Sequence, residues 1–232
     1  MNIEISPKKV LYRLLILIST LLFLNIIGII AQHSINNSIP NLLIFLFDFN
    51  TERNIPTFYS ALALITTSLI LYIIMRNSKY LNNNRIYWKG LVYVFMYLAI
   101  DEMVSIHEYL GKPLGDLLNT SGLLYYGWII PYGIILLIFS TMYLNFLRKL
   151  PKNIIKLFIL SAVIFIIGGI GFELVAGQQI ELYGNNSITH SVLYTFEESF
   201  EMLGVALFIY ALLLYISDNI KNINITFKEE IG

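Results

Sequence analysis

The stretch LYRLLILISTLLFLNIIGIIA, residues 11–31, decides the fold. Past Arg13 it contains no ionisable side chain. A helix rises about 1.5 Å per residue, so about 20 such residues cover the roughly 30 Å of a bilayer's hydrocarbon. Comparable runs follow at Phe58–Met75, Leu91–Ile106, Leu123–Phe146, Ile154–Ala176 and Val192–Ile216. Together they predict an all-α polytopic membrane protein, a bundle of six transmembrane helices over about 11–31, 57–75, 90–109, 123–147, 154–176 and 190–216. Composition agrees. Of 232 residues, 57% are hydrophobic and 13% charged, with a mean hydropathy of +0.71, whereas a soluble domain carries about 25% charged residues.

The basic residues orient the helices. All fifteen Lys and Arg except Arg53 and Lys112 fall within Lys8–Arg13, Arg76–Lys89, Arg148–Lys156 and Lys221–Lys228. These clusters occupy alternate ends of the predicted spans, so the positive-inside rule puts both termini in the cytoplasm of a prokaryotic cell, with the chain in its plasma membrane. A net charge of zero gives no reason to expect a nucleic-acid partner. Membrane lipids are the expected surroundings, and nothing specifies a protein partner. The absence of cysteine removes disulfides, thiolate metal sites and a cysteine nucleophile. Lys8, Lys9 and Arg13 ahead of an apolar run resemble a signal peptide, but the run exceeds a usual h-region, so an uncleaved first helix is expected. NLLIFLF at 41–47 is too short to cross, which makes about 40–55 an outer interfacial or re-entrant segment. Pro56 suits the first turn of the second span. With no soluble insert or fixed-period repeat, residues 1–232 read as one membrane domain.

In that topology most acidic residues lie outside or in the outer halves of helices: Asp48, Glu52, Asp101, Glu102, Glu108, Asp116, Glu173, Glu181, Glu197, Glu198 and Glu201. His33, His107 and His190 lie on the same side. Counting helical rise brings His107, Glu173 and Glu201 to one level, about 25 Å across. His190, Tyr194, Glu197 and Glu201 are spaced i, i+4, i+7 and i+11, one stripe of a helix, with Glu198 beside it. In LAIDEMVSIHEYLG (98–111), read as continuous helix, Asp101, Ser105 and Glu108 share a face, while Glu102 and His107 point to either side. Gly169 and Gly177 flank Glu173 at four-residue spacing, which predicts close approach of a neighbouring helix.

A charged carboxylate deep in the bilayer costs about 2.5–3.5 kcal/mol on insertion scales. Without Lys or Arg at this level, the acids need a metal ion or shared protons. The expected metal ligands are Glu102, His107, Glu108, Glu173, His190, Glu197 and Glu201, with Asp101 or Glu198 as general base. Oxygen-rich donors with a histidine suit Fe, Mn, Zn or Ca without choosing among them. The Glu-x-x-His pairs of ferritin-like di-iron sites are matched in part: His107 follows Glu102 by five residues, and Glu198-x-x-Glu201 lacks the histidine. His-Glu-x-x-His, Gly-x-Ser-x-Gly, P-loop and dinucleotide motifs are absent. The leading expectation is an outward-facing carboxylate and histidine site for a cation, a metal ion foremost, between the third, fifth and sixth spans; in its enzymatic form the protein would act with that metal on a lipid-like substrate. The alternatives are a divalent-cation or proton transporter, and a non-catalytic subunit or sensor. The inner halves of the spans offer hydroxyls but no acids, and no inverted repeat is visible, which favours a one-sided site.

FDFNTERNIPT (47–57), DEMVSIHE (101–108) and EESFEMLG (197–204) resemble the motifs of a widespread group of uncharacterised prokaryotic multi-pass proteins. The resemblance spans nearly the whole chain, including FELVAG (172–177), and implies a topology and a motif set rather than an activity. Glu52-Arg53-Asn54 before a helix, and Ser105 near His107, are also similar to seven-helix zinc hydrolases of the ceramidase and adiponectin-receptor type. The paired His-x-x-x-His of their last helix is missing here.

Overall fold

Long apolar runs separated by short polar joints leave the backbone one way to satisfy its hydrogen bonds in lipid, and that way is the helix. A computed structural model describes residues 4–33, 40–77, 84–184 and 187–220. Among these residues the chain is helical, with no strand: α1 (Pro7–Gln32), α2 (Asn41–Phe47), α3 (Ile55–Asn77), α4 (Arg85–Val104), α5 (Ile106–Leu118), α6 (Ile129–Leu147), α7 (Lys152–Ile166), α8 (Glu173–Tyr183) and α9 (Ile188–Asn219). A π-helical segment, Ile167–Phe172, joins α7 to α8. A 3-10 turn, Gly122–Leu124, precedes α6. The basic residues Lys221 and Lys228 lie outside the described residues. Five spans are long and apolar enough to cross a membrane, and a sixth joins them when the bent pair α4–α5 counts as one.

Three expected boundaries change. The third span is not straight to residue 109: it breaks at Ser105, and α5 turns 79° away from α4. The fourth begins at Ile129 rather than 123, because Gly122, at positive φ, starts a separate turn. The fifth runs on through the π segment to Tyr183 rather than stopping at 176.

α9 is the central helix and packs against α1, α3, α7, α8 and the π segment. Toward the end of the bundle away from α2 and α5, Trp88 is fully buried, with ring contacts of 5.0 Å to Phe146, 6.3 Å to Phe158 and 5.0 Å to Tyr215. Nearer α5, Ala63, Leu64, Ala99, Val205 and Ile209 form a tight plug of small and branched side chains. Helices in lipid are held by packing and buried hydrogen bonds rather than by exclusion from water. Ser68 Oγ donates to the Val92 carbonyl at 2.9 Å, tying α3 to α4. Asn25, 1% exposed within the apolar run of α1, donates to Thr195 Oγ1 at 2.9 Å and accepts from the Phe49 N–H at 3.0 Å. One buried amide thereby joins α1, α9 and the loop after α2.

Candidate functional site

The site begins at the break in the third span. Ser105 takes a left-handed conformation (φ 57°), which ends α4 and frees the first N–H groups of α5. Asp101 satisfies one of them. Its Oδ1 accepts the His107 backbone N–H at 2.9 Å, and its Oδ2 accepts from His107 Nδ1 at 3.2 Å. On an unbroken helix residues six apart point away from each other. The bend is therefore what pairs Asp101 with His107, and the expected stripe Asp101–Ser105–Glu108 does not form. Asp101 is 5% exposed, whereas Glu108 stands at the surface. The Asp101–His107 contact is the one ion pair found among the described residues.

Aromatic groups extend this pair. The Tyr132 hydroxyl donates to Asp101 Oδ2 at 3.4 Å and lies 2.5 Å from the Tyr97 hydroxyl. Trp128, 5% exposed, meets the His107 ring edge-on at 5.0 Å, and its Nε1–H donates to Glu173 Oε1 at 2.8 Å. Glycines aim Trp128. Gly111 accepts the Gly127 N–H at 3.2 Å, and a Cβ on Gly177 would lie 3.0 Å from Tyr125 Cβ. The glycine beyond Glu173 thus admits the loop before α6, not the neighbouring helix that the spacing predicted.

The loop before α3 supplies Glu52. Asn54 organises it: Nδ2 donates to the Asp48 carbonyl at 2.6 Å and the Phe45 carbonyl at 3.2 Å, while Oδ1 accepts the Thr57 N–H at 3.2 Å and caps α3. The Thr57 hydroxyl donates to Glu52 at 3.3 Å. Burial first, and the charge of Glu108 after it, push the Glu52 carboxyl up to about 6. His107, Thr57 and Ser105 oppose that shift.

The remaining acids come from α4 and α9. Glu102, Glu197, Glu198 and Glu201 are half-buried. Glu102 has Glu198, Glu52, His107 and Asp101 within electrostatic reach, and Glu201 has Glu102, His107, Glu173 and Asp101. Glu197 and Glu198 both act on Glu201's surroundings from the same helix. The π segment gives Glu201 its room. A Cβ at Gly168 would lie 2.9 Å from Glu201 Cγ, and one at Gly169 would collide with Glu201 Oε1. Isolated π turns are common at functional sites, because the extra residue re-aims the helix without ending it.

The expected ligand set is therefore gathered only in part. Glu102, His107, Glu173, Glu197 and Glu201 share one electrostatic neighbourhood with Asp101 and Glu198, and Glu108 reaches it from the surface. His190 stands apart: it packs edge-on against Tyr194 at 5.0 Å, and its buried Nδ1 has no hydrogen-bond partner. Tyr194 belongs to the cluster of Ile18, Leu21 and Phe49 on the α1 side. Among the described residues no three His, Asp or Glu side chains are arranged to hold a metal ion. Sequence reasoning did not single out Trp128 or Tyr132, and it left Glu52 among the outer acids without placing it in the ligand set. The asparagine and proline of FDFNTERNIPT were the signal for Glu52, since Asn-x-Pro-Thr before an apolar run is a helix start that fixes the preceding acid.

Fold and site together define a multi-pass helical protein of membrane type with a cluster of part-buried acids toward one end of the bundle. The chain belongs to the family described as Domain of unknown function (DUF8692), whose model matches residues 14–216. No curated protein and no solved structure matches it.

Proposed function

We propose that this is a plasma-membrane protein of six spans, with both termini cytoplasmic, that binds a cation from outside in the carboxylate cluster between α4, α8, α9 and the loop before α3. The sixth span is α4. It lies antiparallel along α3, with Ser68 bonded to Val92 and Ala99 packed against Leu64, so it crosses wherever α3 does. An even number of spans keeps every basic cluster on one side.

One observation carries the reading. Glu52, Glu102, Glu173, Glu197, Glu198 and Glu201 share one neighbourhood in which His107 is the basic partner, and His107 is already engaged by Asp101. Like charges so placed do not all ionise unless a cation or protons join them. Beneath them the bundle is closed by the Ala63–Leu64–Ala99–Val205–Ile209 plug. That closure supports a one-sided binding site over a conduction path.

A second reading has its own support. Asp101 holds the His107 ring in one orientation and leaves the other ring nitrogen for a reactant, the arrangement of a general base. In that form the protein is an enzyme acting on a lipid-like substrate. Asp101 then positions His107 rather than serving as the base itself, and Glu198 remains a candidate base.

Thermal unfolding of detergent-purified protein, with Ca²⁺, Mn²⁺ and Zn²⁺ and across pH 4–9, tests the binding site. Stability of the wild type should depend on an added cation or on pH, and the double variant Glu102→Gln/Glu201→Gln should lose most of that dependence. Identical profiles for the two proteins would sink the proposal.

A further inference from the structure

α5 departs from α4 at 79°, so where α4 crosses a bilayer, α5 runs close to the bilayer plane. Its 13 residues, Ile106–Leu118, divide among three faces. Buried Gly111 and Gly115 make the first. A Cβ on Gly115 would lie 3.2 Å from the Tyr125 carbonyl, and one on Gly111 would lie 3.6 Å from Trp128, so this side is pressed against the loop before α6. Glu108, Lys112 and Asp116, at i, i+4 and i+8, make a second face, which is exposed. Ile106, Leu110, Pro113 and Leu117, at i, i+4, i+7 and i+11, make the third. That apolar stripe lies opposite the glycines and is not packed: Leu117 is 74% exposed and Leu110 38%.

A helix sorted in this way has protein on one side, water on a second and an apolar phase on the third. α4 shows what that phase is. Its last turns expose Ile100, Met103 and Val104, the lipid-facing side of a span. The single residue Ser105 separates them from α5, where exposed apolar surface resumes at Leu110. The membrane surface that α4 meets is therefore the apolar partner within reach of the stripe.

Two features keep α5 from sinking further. Pro113 has no N–H, so the Tyr109 carbonyl lacks the donor that a helix ordinarily gives it. Hydrocarbon leaves such a group unsatisfied, whereas water and lipid headgroups satisfy it. Tyr109 itself stands on the edge between the charged and apolar faces, 64% exposed, and its hydroxyl accepts from Arg53 at 3.0 Å. Arg53 and Lys112 are the two basic residues outside the four clusters. Tyrosine beside a basic side chain is the chemistry that anchors a chain at headgroup level.

We propose that α5 is an interfacial helix, with Leu110, Pro113 and Leu117 set into the headgroup–acyl boundary of the leaflet at the acid end, and Glu108, Lys112 and Asp116 in water. Helices of this kind sit about 5–10 Å into that boundary. The assignment rests on the reading of α4 as a span. His107 lies in the first turn of α5, so the seat of α5 on the membrane and the seat of His107 on Asp101 belong to one helix. The wet face begins beside the acids, since the charge of Glu108 acts on Glu52, Glu173 and Glu197.

Single cysteines carrying an NBD fluorophore, in the full chain reconstituted into phosphatidylcholine nanodiscs, read the depth. Three quenchers serve as probes: aqueous iodide, a lipid with a nitroxide near its glycerol, and a lipid with a nitroxide deep in its acyl chain. Leu117→Cys should be quenched about twofold or more better by the shallow nitroxide than by the deep one. Iodide should quench it about threefold or more less than it quenches Lys112→Cys. Ile100→Cys, on α4, should be shielded from iodide and quenched by the lipid nitroxides. Leu117→Cys as open to iodide as Lys112→Cys would overturn the inference. So would quenching of Leu117→Cys mainly by the deep nitroxide, which would place α5 in the hydrocarbon. Ile100→Cys separates the two levels: shielded, it confines either failure to α5; open to iodide, it removes α4 as a span and the six-span reading with it.

Discussion

Trp128 and Glu173 form the most exposed-to-test contact at the scale of single residues, because both are buried and one hydrogen bond joins them. Losing the donor strands a buried carboxyl, which costs about 1–3 kcal/mol. Trp128→Phe should therefore lower unfolding stability in detergent by that amount, and Glu173→Gln in the same chain should reduce the penalty, a coupling that a double-mutant cycle reads directly. Glu52 gives the pH counterpart. Its pKa is raised from 4.5 to about 6 in the fold, so the fold favours the protonated acid. The stability this contributes is present below about pH 4.5 and is lost as pH rises through about 6, amounting to about 2 kcal/mol at most. Glu52→Gln should unfold at a temperature less sensitive to pH between those limits than the wild type; equal slopes would show that Glu52 ionises as freely folded as unfolded. The acids themselves were legible in the sequence because charge in an apolar run is conspicuous. Trp128 was not, since a tryptophan at a span's outer end looks the same whether it anchors to lipid or donates to a buried acid.

Among the elements, the π segment carries the sharpest contrast. A Cβ on Gly168 would lie 2.9 Å from the Glu197 carbonyl and the Glu201 nitrogen, both backbone atoms of α9 that cannot step aside. A Cβ on Gly171 would meet only Ile167 side-chain atoms at 3.7 and 3.9 Å and its neighbour's carbonyl at 4.0 Å. Gly168→Ala should thus cost about 1–3 kcal/mol through overpacking. Gly171→Ala should be neutral or stabilising by up to about 1 kcal/mol, because alanine is the better helix former. Chemical unfolding of the two variants side by side measures the difference, and equal effects would mean that α9 does not press on the π segment. Both irregularities that build the site, this π turn and the Ser105 break, escape a count of helical periods. Such a count assumes a uniform rise, and one inserted residue or one left-handed residue shifts every position beyond it. The stripe from His190 to Glu201 failed differently. Its spacing is intact, but the Asn25–Thr195 bond and the Tyr194 packing bind its outer half to α1, so His190 and Glu201 serve different surroundings.

For the whole molecule, the helical membrane fold was legible because bilayer thickness and backbone hydrogen bonding leave few alternatives for apolar runs of this length. Which end of the bundle faces out is a separate matter, resting on the charge asymmetry of the loops, and it decides whether the acid cluster meets the exterior or the cytoplasm. The chain carries no cysteine, so a single introduced thiol reports its own location without a background. Lys112, on α5 at the acid end, and Lys149, between α6 and α7, are both exposed. They lie at opposite ends of α6, a span of 19 residues that reaches about 28 Å and so separates them by nearly the full hydrocarbon thickness. With the proposed orientation, Lys112→Cys in intact cells should react with a membrane-impermeant maleimide, and Lys149→Cys should react only after permeabilisation. The reverse pattern would turn the molecule over and hand the acid cluster to cytoplasmic ligands. Labelling of both sites in intact cells would mean that α6 does not cross, leaving Trp128 and Tyr132 without the span that positions them against Glu173 and Asp101.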